Sequence, residues 1–222
     1  DLGLAVSKIN HDLRNILASA SLFSDRLTSL PDPVAQRLAP RLVRTIDRAA
    51  DYTRSVLAYG KSGEAVPQRG LLRLHRLCED VAEALALDDD SGVEQQVEWV
   101  NEVDPDLEIE ADAEQLFRVL LNLSRNAVQA MDSASDDALI KRLTISATGD
   151  KNIIQIQVAD TGPGIPDAAR ENLFTAFGAS GRNGGTGLGL AIAAELVRAH
   201  GGSICLLDDS APGSRFEIKL PK

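Results

Sequence analysis

Val6, Ile9, Leu13, Ile16, Ala20, Phe23, Leu27 and Leu30 stand alternately three and four residues apart, the spacing that keeps one seam of a helix against a partner. It predicts a helix from near Val6 to Leu30, stopped by Pro31-Asp32-Pro33, where Asp32 suits an N-cap and Pro33 the first helical residue of the next element. A second seam follows in Leu42, Ile46, Ala49, Thr53 and Val56. Pro40 falls near its start, so that helix either kinks near Gln36 or begins close to Ala39. A single hairpin leaves both apolar stripes half wet, whereas two hairpins side by side bury them. Residues 1–62 are therefore expected to form a homodimeric four-helix bundle, although the rest of the same chain would also serve as a cover, since spacing does not say whose helix is the partner.

The period is lost from Gly60 to Pro67, a run of turn-forming residues whose end, 63–67, reads as a linker. Beyond it, residues 68–222 alternate between period two and period 3.6. Strands are expected near Leu71 to Leu74, Gln95 to Asn101, Leu107 to Glu110, Leu143 to Thr148 and Ile153 to Ala159. Helices are expected over His75 to Leu87, Asp112 to Met131 and Leu188 to His200, with a closing hairpin of Ser203 to Leu207 and Arg215 to Leu220. That is an α+β domain whose sheet is covered by helices.

Charge and cysteine usage narrow the function. With 33 acidic against 23 basic residues the net charge is −10, which would repel phosphate backbones and anionic lipid, so nucleic acid and a membrane surface are not expected partners. Cys78 and Cys205 are too few and too far apart for a disulfide framework or a zinc site, which fits a reducing, cytoplasmic setting. No apolar run approaches the roughly 20 residues that cross a bilayer. Because the helical pattern is already in phase by Val6 and the chain begins at Asp1, a fragment is expected, with any sensor or membrane anchor lying upstream.

Several residues carry candidate chemistry. With Val6 as position a of a heptad, His11 falls at f, facing solvent. A lone exposed histidine is ordinarily a surface residue, but Asp12 beside it can fix the tautomer that leaves one ring nitrogen free for attack on phosphorus, and Asn15 lies one turn on. On the Asp112 to Met131 helix, Leu116, Leu120, Leu123 and Ala127 form the apolar stripe while Arg118, Asn122 and Asn126 recur four apart on another face. A polar stripe is ordinarily a helix's wet side, yet two amides can offer oxygen to Mg²⁺ when phosphates supply the remaining ligands. Asp160 ends a buried strand, and Thr161-Gly162-Pro163-Gly164 follows, a plain turn unless the carboxylate receives an exocyclic amine such as that of adenine. Gly185-Thr186-Gly187-Leu188-Gly189 runs into a helix and offers backbone N–H groups to an anion. It lacks the Gly-Lys-Ser/Thr ending of a P-loop. Phe174 to Asn183, with Arg182 as its cation nearest the cradle, has the composition of a lid. His75 and His200 call for no function, the latter standing at a helix end before two glycines.

In this order the segments resemble the transmitter core of a two-component sensor histidine kinase, over essentially the whole chain. His11-Asp12-Leu13-Arg14-Asn15 resembles the phospho-accepting H box and Asn122-Leu123-Ser124-Arg125-Asn126-Ala127 the N box. Asp160 to Gly164 and Gly185 to Gly189 resemble the two glycine boxes, and Leu173-Phe174 to Phe177 the F box. The resemblance implies a dimerisation and histidine phosphotransfer bundle followed by a Bergerat-type ATP-binding sandwich. It implies Asn126 as the Mg²⁺ ligand, Asp160 for the adenine amine, and Gly185, Gly187 and Gly189 flanking the triphosphate. His11 would take the γ-phosphoryl group with Asp12 as base or orienter, and pass it to an aspartate on a response regulator receiver domain. Asn15 would align a water in the reverse, phosphatase reaction. Two positions depart from the usual pattern: Ile16 stands where many H boxes carry proline, and Gln129 where the N box often has lysine. Two rivals are a Bergerat-fold ATPase, which would need a glutamate base where Asn122 stands, and a phosphotransfer protein with a degenerate nucleotide site.

Overall fold

The computed structural model describes residues 32, 36, 39, 42, 43, 45, 46, 66–87, 97–132, 140–150, 152–176, 187–208 and 212–222. The helix expected from Val6 to Leu30, the dimeric bundle, and His11, Asp12 and Asn15 lie outside these residues. Within the second seam Gln36, Ala39, Leu42, Val43, Thr45 and Ile46 are helical. The Gln36 N–H donates to the Asp32 carbonyl at 2.9 Å, an i to i−4 bond, so this helix is under way before Pro40 and does not wait for Ala39.

The C-terminal domain runs β1 (Gly70–Arg73), α1 (Leu74–Ala84), β2 (Glu98–Asn101), β3 (Glu108–Ala111), α2 (Ala113–Asp132), β4 (Arg142–Gly149), β5 (Ile153–Asp160), α3 (Asp167–Arg170), α4 (Gly189–Ala199), β6 (Ser203–Leu206) and β7 (Arg215–Pro221). Strands β1 and β3 form an antiparallel pair of their own, and the other five lie in the order β2-β4-β5-β7-β6. Only β2 and β4 are parallel, and the crossover between them contains β3 and α2, as a parallel connection requires.

Helices α1, α2 and α4 pack on one face of this sheet. On β5 the side chains of Ile154, Ile156 and Val158 point inward and those of Gln155 and Gln157 outward. On α2 the predicted stripe of Leu116, Leu120, Leu123 and Ala127 is buried, with Val119 and Met131 extending it. Cys78 sits in the same core, and burial, followed by the nearby Glu79 charge, pushes its thiol up to about 12. Cys78 is thus the inert structural thiol expected of it.

Two boundaries differ from expectation for physical reasons. Leu74 opens α1 instead of closing β1, because its side chain is fully buried and its N–H donates to the Leu107 carbonyl. The same helix ends at Ala84, three residues before Leu87. There Ala86 adopts φ 53°, and the N–H groups of Ala86 and Leu87 donate back to Glu83 and Ala82. This is a Schellman closure with alanine where glycine is usual, and the buried Leu87 is its apolar clasp. The C-terminus of α4 closes in the same way with the expected glycine: Gly201 has φ 73°, and Gly201 and Gly202 donate to Arg198 and Val197.

Candidate functional site

Helix α2 forms a wall with a different glycine segment against each part of it. Toward its C-terminal end, Met131 lies against Gly162: a β-carbon on Gly162 would come 3.2 Å from Met131 Cγ and 2.9 Å from Asp160 Oδ1. In its middle, Asn122 and Asn126 face the start of α4, where a β-carbon on Gly189 would lie 3.8 Å from Asn122 Cγ and Oδ1 and from Asn126 Nδ2. At 1.5 Å per residue, about 7 Å of helix separates Asn126 from Met131. A ligand lying along this wall would meet the amides at one end and the Asp160 loop at the other.

Asp160 owes its position to strand parity. It follows Ile154, Ile156 and Val158 at every second place, so its carboxylate occupies an inward site and is only 8% exposed. Oδ1 accepts the Gly162 N–H at 2.8 Å and the Ser214 N–H at 3.2 Å, while the Asp160 N–H donates to the Ser214 carbonyl at 2.9 Å. Burial pushes the carboxyl above its ordinary range, and the N–H groups of Gly162 and Ser214 with the Ser214 hydroxyl pull it partly back. A fixed, largely dry acceptor of this kind suits an N–H donor brought in by a ligand.

The loop after Asp160 is held from three sides. The Thr161 hydroxyl donates to the Ile140 carbonyl at 2.7 Å and accepts the Arg142 N–H at 2.8 Å. Gly164, at φ 75°, sits where a β-carbon would meet the Gly213 carbonyl oxygen at 3.0 Å. Arg170 joins the far side, donating to Asp208 at 2.7 Å and to the Ile165 carbonyl at 3.2 Å.

At the other end, Gly187 adopts φ 67° and turns the chain into α4. Leu188 is the N-cap, and its carbonyl accepts the Ile192 N–H at 2.9 Å. The Leu188 side chain is fully buried in the core, so of the ligand-binding role expected for it only the backbone is available. The first turn of α4 presents N–H groups that have no partner within the helix and the positive end of its dipole. Arg182, Gly185 and Thr186 lie outside the described residues, as do 177–183 of the expected lid. Phe174, read as the first residue of that lid, is instead anchored, packing edge-on against Phe216 with ring centroids 6.2 Å apart, and Leu173 before it is buried.

Among the described residues no group of three His, Cys, Asp or Glu side chains could hold a metal ion. Asn126 offers a single amide oxygen, so the site fits a Mg²⁺ that brings its other oxygens from phosphates and water. The sequence reading missed Ser214 and Gly213. They stand in a Pro-Gly-Ser turn before β7 that looked like an ordinary hairpin connection, and their contact with Asp160 spans more than fifty residues of chain.

A five-stranded mixed sheet backed by helices on one face, with an inward aspartate near the C-terminal end of an asparagine-bearing helix and a glycine-opened helix against its middle, defines a Bergerat-type ATP-binding sandwich. The profile of the family described as "Histidine kinase-, DNA gyrase B-, and HSP90-like ATPase" matches residues 111–222, and the chain belongs to that family. Within it the similarity is to sensor histidine kinases, whose transmitter core this chain represents. The chain is 31% identical over 226 residues to the sensory histidine kinase/phosphatase NtrB of Klebsiella oxytoca, covering 99% of this chain and 60% of that protein. It is 29% identical to the sensor protein FixL of Bradyrhizobium diazoefficiens, covering 99% of this chain and 43% of that one. The crystal structure of full-length ShkA in complex with AMPPNP matches with a TM-score of 0.72 at 25% identity, covering 98% of this chain and 45% of that chain. The chain thus spans about three fifths of the length of the NtrB protein it matches. No helix among the described residues is long and apolar enough to cross a membrane.

Proposed function

We propose that residues 68–222 bind ATP with Mg²⁺ along α2 and that His11 receives the γ-phosphoryl group. Asp160 accepts the adenine amine, with Gly162 and Gly164 allowing the ring close to the backbone. Asn122 and Asn126 face the phosphates, Asn126 as a Mg²⁺ ligand, and the bound metal offsets phosphate charge. Gly185, Thr186, Gly187, Leu188 and Gly189 line the triphosphate through their backbone, with Arg182 as a nearby cation. The single observation that carries the ATP reading is the pairing of a buried, doubly hydrogen-bonded Asp160 near the C-terminal end of α2 with a Gly189 helix start set against two amides in the middle of the same helix. The likeness to ShkA in complex with AMPPNP supports the same ligand class.

In the reaction, a ring nitrogen of His11 forms a bond to the γ-phosphorus as the bond from phosphorus to the ADP oxygen breaks, and ADP leaves. Asp12 orients the ring or takes its proton. The phosphoryl group then passes to an aspartate of a response regulator receiver domain, and Asn15 aligns a water that attacks this aspartyl phosphate, releasing inorganic phosphate in the phosphatase reaction. The relatives' name, kinase/phosphatase, supports both activities, and residues 1–62 supply the histidine from a homodimeric four-helix bundle. The hydrolytic ATPase alternative is disfavoured because Asn122 can orient a water but cannot take its proton.

Incubation with γ-labelled ATP and Mg²⁺ is expected to leave acid-labile, base-stable label on the protein, lost in His11→Ala and strongly reduced in Asn126→Ala. Label that survives His11→Ala, or release of inorganic phosphate with no labelled protein, overturns this reading.

A further inference from the structure

His200 is 3% exposed and plays no part in the chemistry above, yet both its ring nitrogens are engaged. Nδ1 donates to the Leu196 carbonyl at 2.8 Å, and Nε2 accepts the Asp112 N–H at 3.1 Å. Asp112 is the residue before α2, and its Oδ1 caps that helix by accepting the Gln115 N–H at 3.0 Å. One tautomer, protonated at Nδ1, satisfies this arrangement. The chain entering the domain is fastened to the same two residues: the Gln68 N–H donates to Asp112 Oδ2 at 2.8 Å and Arg69 Nη2 donates to the His200 carbonyl at 2.8 Å.

The start of α2 is therefore joined to the end of α4, while the start of α4 lies on Asn122 and Asn126. The two spans match. From Asp112 to Asn122 is ten residues and from Gly189 to His200 eleven, about 15 and 16 Å of helical rise. A slip of α4 by one turn would carry Gly189 about 5 Å along α2, from one amide to the next.

We infer that His200 is a positioning residue, pinning the register of α4 against α2 so that the α4 N-terminus faces Asn122 and Asn126, and that the chain leaving the linker is fastened to this pin. The consequence for ATP rests on the proposed function, but the pin itself can be measured without nucleotide. Hydrogen exchange of the whole chain reads it at three places: the Gln68 amide, the first turn of α2, and residues 189–192. His200→Leu removes the Nε2 acceptor and is expected to speed exchange at all three by about fivefold or more. His200→Asn leaves no acceptor at the Nε2 position and serves the same purpose if the leucine variant does not fold. His200→Gln places an oxygen near the Nε2 position and is expected to return all three to within about twofold of the parent.

Parental exchange at Gln68 and at 189–192 in a folded His200→Leu or His200→Asn protein, with change confined to the neighbours of position 200, overturns the inference. So does failure of His200→Gln to restore them. Titration with an ATP analogue and Mg²⁺ completes the test. Affinity is expected to fall about fivefold or more in His200→Leu and to recover in His200→Gln. Loss of parental binding itself would remove the nucleotide reading while the exchange comparison still judged the pin.

Discussion

The backbone carbonyl oxygen of Asp160 occupies the space into which a side chain on Gly213 would project: a β-carbon there would lie 1.8 Å away. Gly213 also holds φ 94°, so alanine meets both a clash and an unfavourable backbone. To admit it, the 212–214 turn must move from the end of β5 and give up the Asp160 N–H bond to the Ser214 carbonyl and the Ser214 N–H bond to Oδ1. Gly213→Ala is expected to cost roughly 2–4 kcal/mol, read as a lowered denaturant midpoint, and to weaken ATP binding because Asp160 loses its anchor. A variant with parental midpoint and parental affinity would show that the turn does not hold the carboxylate.

Asp160→Asn separates the ligand's need for a carboxylate from the fold's tolerance of one. The amide oxygen can still accept from Gly162 and Ser214, but its NH₂ would face the incoming amine, donor against donor. A lost bond to a charged acceptor is worth about 1.5–3 kcal/mol, so ATP affinity is expected to fall about tenfold to a hundredfold. Stability should move the other way. Burial raises the Asp160 pKa above 3.8 despite its hydrogen bonds; the folded state therefore holds this proton more tightly, and stability is lost as pH rises from 3.8 through the raised value. Asparagine has no such loss, so the variant's stability relative to the parent should grow across that window. Denaturation curves that shift equally at low and neutral pH would contradict the burial argument.

Periodicity made most of the C-terminal fold legible. The α2 stripe and the alternation of β5 follow from spacing, and the closure of α4 from the glycines after His200, because local geometry and burial agree at those places. Where they disagree, spacing misplaces the boundary. Leu87 keeps the apolar period of α1, yet it is buried as the clasp of a turn whose left-handed residue is Ala86, a conformation alanine does not advertise. The one-turn helix α3 was hidden in a segment rich in proline and glycine, too short for any period to show. At the site, Asp160, Asn122, Asn126 and Gly189 were found because each belongs to a local motif. Ser214 and Gly213 were not, since what they do depends on β5 and β7 being neighbours in the sheet. In the sequence His200 has the look of an ordinary helix end, and only the fold brings it to Asp112.

Asp112 gives the domain an acid-sensitive joint. Burial pushes its carboxyl up, but the Gln115, Gln68 and Glu114 N–H groups and the nearby His200 together outweigh it and leave the group below its ordinary 3.8. The unfolded chain then binds this proton more readily, so the contribution is present above pH 3.8 and is lost as pH falls through the lower folded value. Asp112→Asn keeps the helix cap, since asparagine caps as well as aspartate, and loses the acceptor for Gln68 and the titration. It should be less stable than the parent near pH 7, by about 1 kcal/mol, and the gap should close as pH falls below 3.8. Parallel curves over that range would rule out Asp112 as the source.

Gly189 offers a substitution that should strengthen the fold and weaken the site. It is the first residue of α4, and a β-carbon there would touch Asn122 and Asn126 only at 3.8 Å, an ordinary contact that displaces nothing. Alanine is also the better helix former, so Gly189→Ala is expected to be neutral or to stabilise by roughly 0.5–1 kcal/mol. The added methyl would nevertheless fill the space between the two amides and the α4 N-terminus, where phosphates and Mg²⁺ are proposed to sit. ATP affinity is expected to drop about tenfold or more, with label on His11 falling in step, while the thermal midpoint holds or rises. Parental affinity in a folded Gly189→Ala protein would place the phosphates elsewhere on α2 and remove Asn126 as the metal ligand.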